Sequence, residues 1–261
     1  MNTENGSSCR EFYFEHDKIP LHMKLDFPEG FVPEGGEKCP LAIVQHGFTG
    51  HMEEDHIIAV ARALNETGFA TLRCELYGHG KSGGKFIDHT LFKWLSEMIE
   101  IIDYAKELDF VSELFLCGHS QGGLLAMLAG AAKRDVIRAV ILLSPAAMIP
   151  EDARKGIMLK YQFDPDHLPE VVSLENGIQL KGNHLRVSQL IHVEPAIDAF
   201  QKDVLIIHGD EDESVPCQVA VDAANRYKKA SLVIIKGEDH CYDYHLDQVI
   251  AALKEYMRRF V

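Results

Sequence analysis

The chain has 261 residues, 46% of them hydrophobic, with 40 acidic against 26 basic residues and a formal net charge of −14. Such a length and apolar content can fill one large core with room for a small second lobe, while the acidic balance argues against nucleic acid or an anionic membrane surface as a partner. No apolar run approaches the length of a membrane span, and the polar stretch Met1 to Arg10 lacks the apolar core of a signal peptide. The six cysteines (Cys9, Cys39, Cys74, Cys117, Cys217 and Cys241) contain no C-x-x-C pair. In a chain of this size they read as free thiols in a reducing compartment, so a cytoplasmic location is expected. No zinc-ligand spacing occurs among the 14 histidines, and neither a metal nor a cofactor is expected.

Taken in order, Glu11 to Glu15 and Ile19 to Phe27 read as two strands joined at Asp17-Lys18, the second alternating as Leu21, Met23, Leu25, Phe27. This hairpin is expected at one edge of a sheet. After a Gly- and Pro-rich loop, Leu41 to Val44 is a continuous apolar run, the pattern of a strand buried on both faces. It ends in His46-Gly47-Phe48-Thr49-Gly50. Asp55 to Thr67 has helical periodicity and is closed by Gly68. Phe69 to Leu76 is the next strand. The glycine-rich stretch Tyr77 to Gly84 follows it without the spacing of a phosphate loop and reads as a structural crossover. Thr90 to Leu108 is a long amphipathic helix whose Trp94 belongs to the core.

Leu114 to Cys117 then run into Gly118-His119-Ser120-Gln121-Gly122, and a helical pattern begins at once with Leu124, Leu125, Met127 and Leu128. Strand, sharp turn and helix are the setting in which Gly-x-Ser-x-Gly becomes a nucleophile elbow. Val136 to Leu143 is a further buried strand. The order is thus βαβαβαβ, the signature of a doubly wound parallel sheet. From Pro145 to Gln201 that alternation breaks, with prolines at 150, 165, 169 and 195, and Val204 to Ile207 resumes it. The chain therefore divides into an N-terminal core segment, residues 1–144, an inserted lid, residues 145–201, and a C-terminal core segment, residues 202–261. Ligands of open α/β sheets bind beyond the carboxyl ends of the strands, so the lid is expected to line the pocket. Ser231 to Ile235 is the last strand, and Leu246 to Phe260 a closing helix with His245 already on it.

Ser120, an acid within 210–212 and His240 each follow a core strand, in the order Ser…Asp…His that belongs to α/β-hydrolases. A serine hydroxyl needs a base to take its proton. His240 can take that proton and return it to the leaving alcohol. A carboxylate orients the imidazole. Asp212, three residues before Val215-Pro216, is preferred as the acid over Asp210. The backbone N–H groups of Phe48 and Gln121 are the expected oxyanion donors. His46 and His119 read as loop-holding hydrogen-bond groups. The fold class expected is the α/β-hydrolase fold, a mostly parallel central sheet with helices on both faces and a lid insertion.

Taken together, His46 to Gly50, Tyr77 to Ser82, Gly118 to Gly123, Ser144-Pro145-Ala146-Ala147 and Asp239 to Tyr242 closely resemble the bacterial cinnamoyl (feruloyl) esterases. The resemblance runs from about residue 11 onward. It is most specific in Pro150 to Arg154 and Lys181 to Val187. It implies hydrolysis of esters of hydroxycinnamic acids such as ferulate and p-coumarate. It also implies a lid aspartate, here Asp152, facing the phenolic hydroxyl, helped by an aromatic that is usually tyrosine and here is His184. The expected partner is a small-molecule ester, with a homodimer left open. A broad short-chain esterase or monoglyceride lipase is the alternative within enzymes. A non-catalytic small-molecule receptor on the same fold is the alternative outside them.

Overall fold

The computed structural model describes residues 9–174 and 177–261. The stretch before residue 9, including most of the polar leader considered above, lies outside the described residues. The central sheet has eight strands: β1 (Cys9–His16), β2 (Ile19–Asp26), β3 (Cys39–Gln45), β4 (Ala70–Cys74), β5 (Val111–His119), β6 (Ile137–Leu143), β11 (Asp203–Gly209) and β12 (Ala230–Ile235). Their spatial order is β1-β2-β4-β3-β5-β6-β11-β12. From β4 to β12 every pairing is parallel, while β1 and β2 are antiparallel additions at the edge. The hairpin between them turns at Asp17 and Lys18, at φ 49° and 65°, the left-handed pair that a two-residue loop needs.

Helices α1 (Asp55–Glu66), α2 (Leu91–Lys106), α3 (Gln121–Ala132) and α7 (Gln218–Arg226) connect strands, and with α8 (Leu246–Met257), which follows the last strand, they cover both faces. The unbroken apolar runs follow from that double cover. In β3, Leu41 and Ile43 join the cluster beneath α2 and α3, while Ala42 and Val44 join the one beneath α1 and α8. In β11, Val204 and Ile206 divide from Leu205 and Ile207 in the same way, because successive side chains leave a strand on opposite faces. Thr90 caps α2, its hydroxyl accepting from the Lys93 N–H. His245 is the residue before α8 rather than within it. Helix α7 has no counterpart in the periodicity reading.

The Tyr77 to Gly84 loop wraps a side chain of the protein itself. The Glu75 carboxylate accepts the Lys81 N–H at 2.7 Å and contacts His22 Nδ1 at 2.8 Å. The loop is thus closed around a carboxyl group of the protein itself.

Between β6 and β11, the described residues of segment 145–201 add no strand to the main sheet. It forms α4 (Ile149–Lys155), the short pairs β7 (Ile157–Met158) with β8 (Tyr161–Gln162) and β9 (Val171–Ser173) with β10 (Gln179–Lys181), then α5 (Asn183–Gln189) and α6 (Glu194–Ala199). A separate small cluster of Val172, Leu174, Leu180 and Leu185 packs toward Phe48 and Phe86. That contact seats the insertion beside the loop that follows β3.

Candidate active site

Ser120 stands between β5 and α3 with φ 55° and ψ −119°. A non-glycine residue held there is strained, and such strain persists only where its surroundings impose it. The turn is closed too tightly for side chains on either side. A Cβ on Gly118 would run into the Gly122 carbonyl, and one on Gly122 into the carbonyl of His46. The Ser120 N–H donates to the Leu143 carbonyl at 2.9 Å, pinning the elbow to the end of β6.

His240, on the loop after β12, places Nε2 2.9 Å from Ser120 Oγ and Nδ1 2.7 Å from Asp212 Oδ2. A carboxylate only accepts, so Nδ1 carries the proton, and Nε2 is left bare to accept the serine hydroxyl. Asp212 Oδ1 accepts the N–H groups of Ser214 and Val215 at 2.9 and 2.8 Å. Burial acts to raise this carboxyl, but His208, His240 and the Val215 N–H outweigh it and hold the group well below the usual carboxylate range. Asp210 faces elsewhere, accepting the Gly237 N–H at 2.6 Å.

Several supporting groups were not singled out by sequence. His208, fully buried at the end of β11, lies 3.1 Å from Asp212 Oδ2 and 2.9 Å from the Val215 carbonyl through the same Nε2. Both partners accept, so this nitrogen bears the proton and serves as a further donor to the acid. Glu238, also fully buried, gathers the N–H groups of Asp239, Tyr244 and His245 and so shapes the loop that carries His240. Tyr242 donates to the Ile207 carbonyl at 3.2 Å and contacts Ser144 Oγ at 2.9 Å, tying the same loop to β11 and β6. His119 Nε2 donates to the His240 carbonyl at 2.8 Å, and His119 Nδ1 meets His56 at 3.2 Å. His46 Nδ1 donates to the Gly47 carbonyl at 2.8 Å. His46 and His119 thus make the loop-holding bonds expected of them from the sequence, whereas His208, Glu238, Tyr242 and His56 are assigned no role there.

Phe48 and Gln121 flank the serine, one from the loop after β3 and the other as first residue of α3. Among the described residues neither backbone N–H has a hydrogen-bond partner. Two free donors beside a nucleophile, one of them at a helix N-terminus, can stabilise a developing oxyanion. The serine opens on a cavity of about 290 Å³ whose wall includes Phe48, Met148, Leu159, Leu185 and Val215. Asp152 from α4 and His184 from α5 line the same cavity, and these two helices pack together. Burial raises the Asp152 carboxyl, and among the described residues no hydrogen bond relieves it. His184 Nδ1 donates to the His89 carbonyl at 3.3 Å. Burial pushes its imidazole down to about 4, so it is neutral with Nε2 unprotonated. Among the described residues no group of three or more His, Cys, Asp or Glu is arranged to hold a metal ion.

A mostly parallel sheet covered on both faces, with a serine elbow, a histidine and a carboxylate at its carboxyl edge, defines a serine hydrolase of the α/β-hydrolase fold. Residues 36–210 match the Hydrolase_4 family model, described as serine aminopeptidase, S33, and the chain belongs to that family. A solved structure, ferulic acid bound to Est1E from Butyrivibrio proteoclasticus, is 53% identical in sequence and superposes with a TM-score of 0.92 over 95% of this chain and 98% of that one. A second structure of Est1E is 50% identical with a TM-score of 0.88. The similarity to Est1E thus extends over nearly the whole chain. More distantly, mitochondrial palmitoyl-protein thioesterase ABHD10 of Mus musculus is 26% identical over 216 residues, 78% of this chain and 69% of the relative.

Proposed function

We propose that the protein is a carboxylesterase that hydrolyses hydroxycinnamate esters through an acyl-enzyme on Ser120. The observation that carries the reading is the chain Asp212–His240–Ser120, at 2.7 and 2.9 Å, opening on a cavity with two free backbone donors. His240 takes the serine proton as Oγ attacks the ester carbonyl, and Asp212 stabilises the imidazolium that forms. The Phe48 and Gln121 N–H groups receive the oxyanion. His240 then protonates the departing alcohol. In the second half it activates water against the acyl-serine, and Ser120 regains its proton as the acid leaves.

The acyl class rests on the similarity to Est1E, whose structure has ferulic acid bound, and on the chemistry of the cavity. In our reading, segment 145–201 acts as a lid over the strand ends, and Asp152 and His184 face the substrate ring. Both present acceptors. A phenolic hydroxyl is the donor that would relieve a half-buried carboxylate without one. An unbranched fatty acyl chain offers no such donor, which weighs against the monoglyceride-lipase alternative.

For the molecule as a whole, we propose a reducing, cytoplasmic setting, supported by six unpaired cysteines. No helix among the described residues is long and apolar enough to cross a membrane. The homodimer remains a proposal that light scattering decides. The activity is tested by comparing kcat/KM for methyl ferulate, methyl p-coumarate and p-nitrophenyl butyrate. The reading requires that the hydroxycinnamates be preferred; a preference for butyrate by tenfold or more overturns the acyl assignment.

A further inference from the structure

His89, fully buried just ahead of α2, is tied to both sides of the site yet takes no role in the chemistry described so far. Its Nε2 lies 2.8 Å from Gln121 Nε2, and its carbonyl accepts His184 Nδ1–H at 3.3 Å. The ring is wedged among Trp94, His79 and His184, with centroids 4.6, 5.1 and 5.1 Å away. It therefore has little freedom to follow a movement of Gln121. Burial and the neighbouring His184 and His79 hold its imidazole well below the ordinary histidine value, which favours the neutral ring.

We propose that His89 is a positioning residue for ester hydrolysis: by holding the Gln121 side chain it fixes the backbone N–H that receives the oxyanion, and through His184 it sets that donor in register with helix α5. The inference rests on the esterase reading above. Gln121 is the first residue of α3, where backbone is restrained from one side only. Its side chain reaches across to His89 instead of to solvent, and the tie is the same whichever amide atom faces the ring. Releasing it leaves the donor present but less well aimed. Removing one oxyanion donor outright costs on the order of 10²–10³ in kcat, so a misplaced one should cost roughly 10- to 100-fold. The oxyanion develops in the transition state and persists in the tetrahedral intermediate but is absent from the bound ester, so the loss belongs in kcat and not in KM.

Steady-state hydrolysis of methyl ferulate tests this with four variants. His89→Asn removes the hydrogen-bonding group at the Nε2 position, whereas His89→Gln carries an amide to that position. Gln121→Ala keeps the backbone donor and removes only the side chain. We expect His89→Asn and Gln121→Ala each to lower kcat about 10- to 100-fold with KM within about threefold. We expect His89→Gln to recover kcat to within about threefold, and the double variant His89→Asn/Gln121→Ala to be no slower than the slower single. Independent, multiplying effects in the double variant overturn the proposal. So does a loss confined to KM, or a His89→Gln as slow as His89→Asn. Should His89→Asn fail to fold, Gln121→Ala still decides, because an unchanged kcat there contradicts it. Labelling Ser120 with a fluorophosphonate separates the two levels. A wild-type protein that neither labels nor turns over the ester defeats the esterase reading. One that does both while His89→Asn keeps full kcat defeats only the role of His89.

Discussion

Two carboxylates compete for one role in the loop after β11, and their surroundings separate them. Asp212 receives His240, His208 and two backbone N–H groups, whereas Asp210 spends an oxygen on the Gly237 N–H. Asp212→Asn should lower kcat on the order of 10⁴, since an amide in its place favours the wrong tautomer of His240. Asp210→Asn should cost less than about tenfold, through the loop alone. Measuring kcat for both decides the assignment, and the reverse ranking refutes it. Asp152 makes a different kind of claim. One charge-assisted hydrogen bond is worth about 1.5–3 kcal/mol, roughly ten- to a hundred-fold in specificity. Asp152→Ala should therefore lower kcat/KM for ferulate and p-coumarate esters by that factor and leave methyl cinnamate, which lacks the hydroxyl, nearly unchanged. An equal loss on all three esters would mean the residue only shapes the wall. At this scale the sequence is most legible where a residue's neighbours in the chain create its environment. Ser120 between Gly118 and Gly122, and His240 just past β12, are of that kind. His208, Glu238 and His89 are not. Each matters through partners that only the folded sheet edge brings within reach.

Among the elements, α2 illustrates how a readable helix hides a charged group. Its apolar stripe carries Trp94, Met98, Ile101 and Ile102 inward, and Glu97 is buried with them, accepting the Tyr77 N–H at 2.9 Å. Burial raises this carboxyl from 4.5 to about 7. The unfolded chain releases the proton near the ordinary value and the folded one only near 7. Between those limits the native state binds more protons, and stability falls as pH rises. The full loss above pH 7 is about 3 kcal/mol. Glu97→Gln keeps an acceptor for Tyr77 and should raise Tm at pH 8 while leaving it nearly unchanged at pH 4.5; thermal melts at the two pH values check this. The strands and long helices stand in the sequence because double-sided or one-sided burial writes itself into apolar runs. Helix α7 escapes that reading because it buries only Ala220 and Ala223. The elements of segment 145–201 escape because most are too short for a period to repeat. β7 and β8 have two residues each, and α6 has six.

For the molecule as a whole, acid lability follows from how many imidazoles it buries. Burial pushes His46 down to about 3 and His56, His79 and His184 to about 4, and it holds His89 and His119 well below their ordinary value. Each is neutral in the fold and would take up a proton on unfolding below about pH 6.5. Stability is therefore lost as pH falls from 6.5 toward 4, by up to about 2 kcal/mol at pH 5 for each of His46, His56, His79 and His184. Tm should drop steeply between pH 7 and pH 5, with more than one proton bound on unfolding in calorimetry; a flat profile across that window contradicts the neutral assignment. The architecture that buries these rings also fixes the chemistry. Strands far apart in sequence deliver a serine, a histidine and a carboxylate to one edge, where residues of segment 145–201 line the same cavity. The most direct test of the account is the steady-state rate of methyl ferulate hydrolysis by the wild-type protein and by Ser120→Ala. The account predicts turnover by the wild type and, in a folded variant lacking only the nucleophile, a kcat lower by on the order of 10⁵–10⁶. A variant that keeps more than about a tenth of the wild-type rate, or a wild type that leaves the ester intact, would contradict it.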